Sequence, residues 1–414
     1  MATVVLVGTF DTKLDELLFL RSHIERNPQV RTLVIDVGWK AVDCHAISIS
    51  PTELASKHGG AQDVSRLARG EYVDFISACA AKAVQELHHD GQIDGIVSAG
   101  GSGGTSIASA IMKHAVPIGF PKLLVSTMAS GDTRAFVGET DIMMINPVVD
   151  VAGLNQILRD VFRNAGAAIG AAAVAYAACR RSPARQPPSA PKKRVGITMF
   201  GVTTPGADAV RRHLESKNPV ETFVFHATGQ GGRAMEGLVR DGKLDAVVDL
   251  TTTEICDLVM GGVMSAGEGR LDATMEAGIP AIISLGATDM ANFGPRDLVP
   301  DKYKARKLVE HNPMVTLVRS SPSDCKRIGE FILAKLRRAT RPDMVELWIP
   351  RGGVSIMAVP GGVFADPDAD QALFGVLREG LVGSGIRVVE DERDVNDQGF
   401  ARDMAEALVA KLGV

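Results

Sequence analysis

The chain reads as α/β, built from two Rossmann-like doubly wound domains with mainly parallel sheets. Three observations predict this. Short β-branched runs alternate with helix-length segments along all 414 residues. Forty-three glycines and 5% aromatic residues, against 45% hydrophobic overall, suit alanine- and valine-rich α/β packing better than a β-sandwich. The strand runs also end in Gly, Ser, Thr or Asp just before a helix begins, and ligands of open parallel sheets sit outside those strand ends.

The first strand run, residues 3–7, leads into Gly8-Thr9-Phe10-Asp11-Thr12-Lys13 and a helix over residues 15–26. Ser50-Pro51-Thr52-Glu53 carries a cap, a first-turn proline and a capping-box glutamate, so a second helix begins there. Another helix fills residues 74–89. The run Ile93-Asp94-Gly95-Ile96-Val97-Ser98 then feeds Gly100-Gly101-Ser102-Gly103-Gly104-Thr105-Ser106 and a small-residue helix. Ser126-Thr127-Met128-Ala129-Ser130-Gly131 forms a third polar strand end. A long helix is expected over residues 150–179. Its apolar part, residues 165–179, is mostly Ala and Gly, shorter than the roughly 20 residues of a bilayer crossing, and closed by Arg163 and Arg180. It reads as a buried or subunit-interface helix.

The stretch of residues 183–193 is proline-rich and basic, and reads as a linker between an N-terminal domain (1–182) and a C-terminal domain (194–414). The second half restarts with Arg194-Val195-Gly196-Ile197 and repeats the order of signals loosely. Lys304, Arg306 and Lys307 read as an exposed helix, residues 344–349 as a strand, and residues 368–381 and 400–412 as helices.

Net charge is −4 and no Lys/Arg run is long enough to follow a phosphate backbone, which argues against a nucleic-acid partner. Five scattered cysteines form no Cys-x-x-Cys pair, and the first residues carry no signal-peptide pattern, so a cytoplasmic setting is expected.

Neither a Walker A pattern nor a dinucleotide fingerprint follows the first strand. The chemistry rests instead on the glycine-rich loops. Backbone N–H groups approach an anion closely where glycines leave room, and a helix N-terminus adds a partly positive end. Gly8, Thr9, Asp11, Thr12 and Lys13, with Gly100, Gly101, Ser102, Gly103, Gly104, Thr105 and Ser106, are the expected nucleotide-binding residues, joined by Ser130 and Gly131, whose stretch reads either as closing over the ligand or as a plain polar loop. Lys13 stands where an ammonium reaches a phosphate. Asp11 reads either as a Mg²⁺ ligand or as a helix cap. In the second half, Thr203, Thr204, Gly231, Gly232 and Arg233 make a second candidate anion site. His226 and Glu254 are candidates for an acid–base pair, although a histidine at a strand end is more often structural.

Taken in order, Gly8-Thr9-Phe10-Asp11-Thr12-Lys13, Arg69-Gly70-Glu71, Gly100-Gly101-Ser102-Gly103-Gly104-Thr105, Asn146-Pro147-Val148-Val149-Asp150, His311-Asn312-Pro313 and Asp366-Pro367-Asp368-Ala369-Asp370 resemble the Tm-one-like ATP-binding domain family. That family is named for the amino-terminal region of a tomato tobamovirus-resistance protein. The resemblance spans nearly the whole chain. It implies two Rossmann-like subdomains, ATP with Mg²⁺ held mainly by the first, and a homodimer. The phosphate-loop residues carry over onto residues 8–13 and 100–106. In the plant protein a TIM-barrel-like region follows, so antiviral recognition is not carried over to this chain. The alternative to plain ATP binding is a metabolic enzyme acting on a small sugar-acid or phosphorylated metabolite in an interdomain cleft, with a separate TIM-barrel-like partner.

Overall fold

The computed structural model describes residues 1–40, 42–60, 67–181 and 192–413. Two compact units divide between residues 186 and 187. Most of the expected linker lies outside the described residues, and its last residue, Lys193, already opens a strand.

The first unit runs β1 (Ala2–Gly8), α1 (Phe10–Ile24), β2 (Val30–Asp36), α2 (Pro51–His58), α3 (Arg69–His89), β3 (Gly95–Gly100) and α4 (Ser102–Ala115). It continues with β4 (Lys122–Ser126), α5 (Arg134–Val137), β5 (Met143–Ile145) and α6 (Gln156–Arg181). Its sheet has the order β2-β1-β3-β4-β5, parallel throughout. All seven residues of β1 are buried, as a central strand covered on both faces must be. Period-two alternation divides its side chains between two layers. Val5 and Val7 join Ile76, Ile107 and Ile111 on one face, and Val4 and Leu6 join Leu17, Phe162 and Ile169 on the other.

The helix at Ser50 forms with the expected capping box: Glu53 N–H donates to Ser50 Oγ, and Ser50 N–H donates to Glu53 Oε2. The long helix starts later than expected, at Gln156, because Gly153 adopts φ +76° and its N–H donates to Glu16 Oε1 at 2.6 Å, tying residues 150–155 to α1 instead. By length and composition α6 is apolar enough to cross a membrane. It nevertheless buries Leu158, Phe162, Ala165, Ile169 and Ala173 in the same core as β1, as a core helix does, and leaves Ala168, Ala171 and Ala175 exposed.

The second unit runs β6 (Lys193–Met199), α7 (Thr204–Lys217), β7 (Val220–His226), α8 (Gln230–Arg240), β8 (Ala246–Thr251), α9 (Thr253–Met260), α10 (Asp272–Ala277), β9 (Ala281–Gly286), β10 (Met290–Phe293), β11 (Leu308–Asn312) and β12 (Val315–Arg319). Then follow α11 (Pro322–Leu336), β13 (Val345–Pro350), α12 (Pro367–Gly380), β14 (Arg387–Asp391) and α13 (Gln398–Leu412). Six parallel strands take the order β14-β13-β9-β8-β6-β7, and β10-β12-β11 form a small antiparallel sheet. The expected helix at residues 304–307 is instead the lead into β11. There the Arg306 guanidinium stacks 4.5 Å from the Tyr303 ring and pairs with Asp324, which fixes an irregular backbone.

Candidate functional site

In the first sheet the strand order reverses between β1 and β3, since the chain leaves β1 for β2 on one side and returns to β3 on the other. The crevice at such a reversal, outside the carboxyl ends of the strands, is where open α/β sheets take ligands. Val7 pairs with Ser98, so the ends of β1 and β3 lie one strand spacing, about 4.8 Å, apart. Gly100 pairs with Ser126 of β4, and the Thr105 and Ser126 hydroxyls bond at 2.6 Å. Residues 8–13, 100–106 and 126–131 therefore meet at one sheet edge.

The glycines of these loops serve different ends. A Cβ on Gly8 would collide with Leu17, so this glycine lets α1 pack on its own strand. A Cβ on Gly103 or Gly104 would meet nothing within 4 Å, and one on Gly101 would find only Thr127 Oγ1 at 3.9 Å. Packing among the described residues gives no reason for glycine at these three positions. The N-terminus of α4 they build is bare: no side chain caps it, its first turn holds no acidic residue, and its ladder begins with Thr105 N–H donating to Gly101 O at 2.9 Å. The amides of Ser102, Gly103 and Gly104 are the orphan donors of a helix start. Ser102 and Ser106 are exposed there, with Ser106 Oγ donating to Ser102 O.

The first loop contributes differently. The Phe10 amide is taken by Asp36 Oδ1 at 3.1 Å, and the Thr9 and Thr12 hydroxyls bond each other at 3.0 Å. Lys13 leaves helical geometry at φ −136°, ψ 34°, and among the described residues its ammonium pairs with no carboxylate. Asp11 neither caps the helix nor points free. Its Oδ2 accepts from the amides of Trp39 and Lys40 at 3.0 and 3.1 Å, while Oδ1 is buried without a partner. Among the described residues no group of three or more His, Cys, Asp or Glu could hold a metal ion. Ser130 Oγ donates to Thr127 O, and Ser130 and Gly131 are exposed on the rim.

Sequence reasoning missed the group behind Asp11. Asp36 closes β2, is fully buried, and accepts from Gly38 N–H at 2.8 Å, while its Oδ2 has no partner. Burial, with the nearby Asp11 charge adding to it, raises its pKa. Tyr72 Oη donates to Gly38 O, and burial together with the Asp36 and Asp11 charges pushes its phenol up to about 12. The signal was available, because Leu33-Val34-Ile35-Asp36 is a strand run ending in a polar residue like the others.

The second unit puts its candidate residues to other uses. Glu254 lies in the first turn of α9 and is buried, and its Oε1 accepts from Gly229 N–H at 2.6 Å and Gly232 N–H at 3.0 Å, at the start of α8. Its Oε2 accepts from Arg270 Nε at 2.8 Å. Arg270 is itself buried, bidentate to Asp249 at 2.5 and 2.7 Å. The cradle expected at residues 229–233 is thus filled by the chain's own carboxylate. Cβ atoms on Gly231 and Gly232 would collide with the His226 carbonyl and the Glu254 carboxylate, which explains both glycines by packing. Arg233 Nη1 donates to Ser265 O. The Thr203 and Thr251 hydroxyls bond at 2.7 Å in the interior, and Thr204 Oγ1 donates to Phe200 O. The acid–base pair does not form: Glu254 is committed to Arg270 and two amides, whereas the His226 side chain is exposed with its ring 5.5 Å from that of Phe200.

Two family descriptions match the chain, the N-terminal domain of the uncharacterised protein family UPF0261 over residues 2–178 and its C-terminal domain over residues 192–412. A UPF0261 protein of Clostridium tetani is 41% identical over 409 residues, covering 98% of both chains. The ToMV resistance protein Tm-1(GCR237) of Solanum lycopersicum is 36% identical over 425 residues, covering 98% of this chain and 55% of that protein, so the chain spans about half the tomato protein's length. Among solved structures, MurG of Acinetobacter baumannii matches at 12% identity and TM-score 0.23, covering 98% of this chain and 99% of that one. UDP-GlcNAc 2-epimerase of Neisseria meningitidis bound to UDP-GlcNAc matches at 9% and 0.24, covering 100% and 99%. Neither score lends weight to a functional reading. The chain belongs to the uncharacterised protein family UPF0261 and carries both its N-terminal and its C-terminal domain.

Proposed function

We propose that this chain binds ATP at the carboxyl edge of the five-stranded sheet, with the phosphates on the N-terminus of α4. One observation carries the proposal: the bare start of α4, where Gly103 and Gly104 leave open space that none of the described residues fills. Three orphan amides and the positive end of a 14-residue helix favour an anion. The neighbouring Lys13 supplies a point charge, and the Ser102 and Ser106 hydroxyls add donors. Mg²⁺ would travel with the phosphates and water, because among the described residues no group of three or more His, Cys, Asp or Glu could hold it.

Isothermal titration with ATP, with and without Mg²⁺, tests this directly. Saturable binding is expected, and Lys13→Ala should weaken it about tenfold through loss of a charge-assisted contact. Absence of binding at millimolar ATP would overturn the assignment.

A further inference from the structure

The chain has two tryptophans in opposite settings. Trp348 is packed inside the second unit at 5% exposure, whereas Trp39 is 47% exposed in the first. A half-exposed indole is unremarkable on a mobile loop, but this one is held at its backbone and against one neighbouring ring. Its backbone N–H donates to Asp11 Oδ2 at 3.0 Å, and its ring lies 4.5 Å from that of Tyr72 at 54°. Tyr72 Oη in turn holds the carbonyl of Gly38. Gly38 admits no side chain, since a Cβ there would come 2.6 Å from Asp11 Oδ1 and 3.0 Å from Asp36 Oδ1. Asp11 belongs to the loop that carries Lys13. A single carboxylate therefore ties the Trp39 backbone to the loop proposed to meet phosphate.

Position agrees with this. Trp39 follows β2, which lies beside β1 on the side away from β3. Where a sheet of this kind holds phosphate at the β1 turn, the nucleoside end lies over the neighbouring strand β2. Asp36, two residues before Gly38, adds a fully buried carboxylate oxygen that nothing among the described residues satisfies, a mark of a polar site at the same strand end. An aromatic face held rigid before the ligand arrives loses little entropy on binding.

We propose that Trp39 is the base-stacking platform of this site, so that the ligand is a nucleoside polyphosphate with its base on the indole and its phosphates toward Lys13 and α4. This rests on the ATP-binding proposal and adds to it which part of the ligand supplies recognition. Base stacking tolerates any base and is commonly lost by about tenfold or more when the aromatic is removed.

The test compares ATP with inorganic tripolyphosphate on the full-length chain, by titration calorimetry and by tryptophan fluorescence. Trp348 is buried in the other unit, so a ligand-dependent change in emission reports Trp39. ATP should quench that emission and tripolyphosphate should bind without quenching it. Trp39→Ala should weaken ATP about tenfold and leave tripolyphosphate affinity unchanged, with Trp39→Phe between the two. ATP binding of equal strength in wild type and Trp39→Ala, or ATP binding to wild type without quenching, overturns the platform while leaving the phosphate cradle in place. Failure of both ATP and tripolyphosphate to bind overturns the cradle and the platform together. The quench on wild type needs no variant, so misfolding of Trp39→Ala leaves the outcome readable.

Discussion

Gly103 and Gly232 look alike in sequence, each a glycine at the start of a helix after a strand, and differ in what a methyl group would strike. At Gly103 it would enter open space, and alanine is also a better helix former by up to about 1 kcal/mol. Gly103→Ala should therefore keep or raise the melting temperature while lowering ATP affinity, and Gly103→Val should lower that affinity further. At Gly232 the same methyl would collide with the Glu254 carboxylate. Gly232→Ala should lower the melting temperature of the second unit by roughly 5 °C or more. Thermal melts paired with titration calorimetry separate the two cases, and equal destabilisation by both substitutions would remove the distinction. The two loops were indistinguishable by sequence because a glycine records the need for an absent side chain, not which atom stands in its place. Gly8 shows the same limit: its position in a cradle motif was legible, but its contact with Leu17 was not.

At the level of elements, the helix starts settle the difference between the units. The start of α4 is bare, whereas the start of α8 is closed by Glu254 and that of α10 by Glu236, whose oxygens accept from Leu271 and Ala273 amides at 2.7 and 2.8 Å. Removing the Glu254 carboxylate would strand Arg270 Nε and two amides in the interior. Glu254→Ala should cost about 3–5 kcal/mol, as breaking a buried pair on one side does. Added phosphate should raise the melting temperature of the second unit in the variant and leave that of the second unit in wild type unchanged, which scanning fluorimetry would read. A variant as stable as wild type would contradict this account of the carboxylate. Local signals were legible: Ser50 and Glu53 formed their box. Glu254 and Gly232 are 22 residues apart, and only the pairing of β8 with β6 and β6 with β7 brings their helices together. No periodicity or cap rule carries information across that distance.

For the molecule as a whole, stability answers to pH as well as to ligand. Burial pushes Asp257 up to about 7 and Asp289 up to about 6, both in the second unit, from an ordinary value of 3.8. A carboxyl raised in the folded state keeps its proton there and releases it on unfolding, so its contribution is whole below about pH 4 and is lost as pH rises through about 7. Thermal stability of the second unit should fall across that window. Asp257→Asn should flatten the fall, since the Asn292 amide, with its Oδ1 unpartnered, can turn to accept from the new side chain. Melting curves from pH 4 to 8 on both proteins measure it, and parallel profiles would acquit Asp257. The filled start of α8 carries a last consequence in the language of mass action. A ligand tethered by its own backbone has no concentration, so the stabilisation it gives cannot be diluted, dialysed or competed away. A free nucleotide on α4 would instead stabilise the first unit as RT ln(1 + [L]/Kd), about 2.7 kcal/mol at a hundredfold excess over Kd and nothing at zero. Of two similar architectures in one chain, one is set once by folding, and the other, on the proposed reading, would follow the nucleotide level around it.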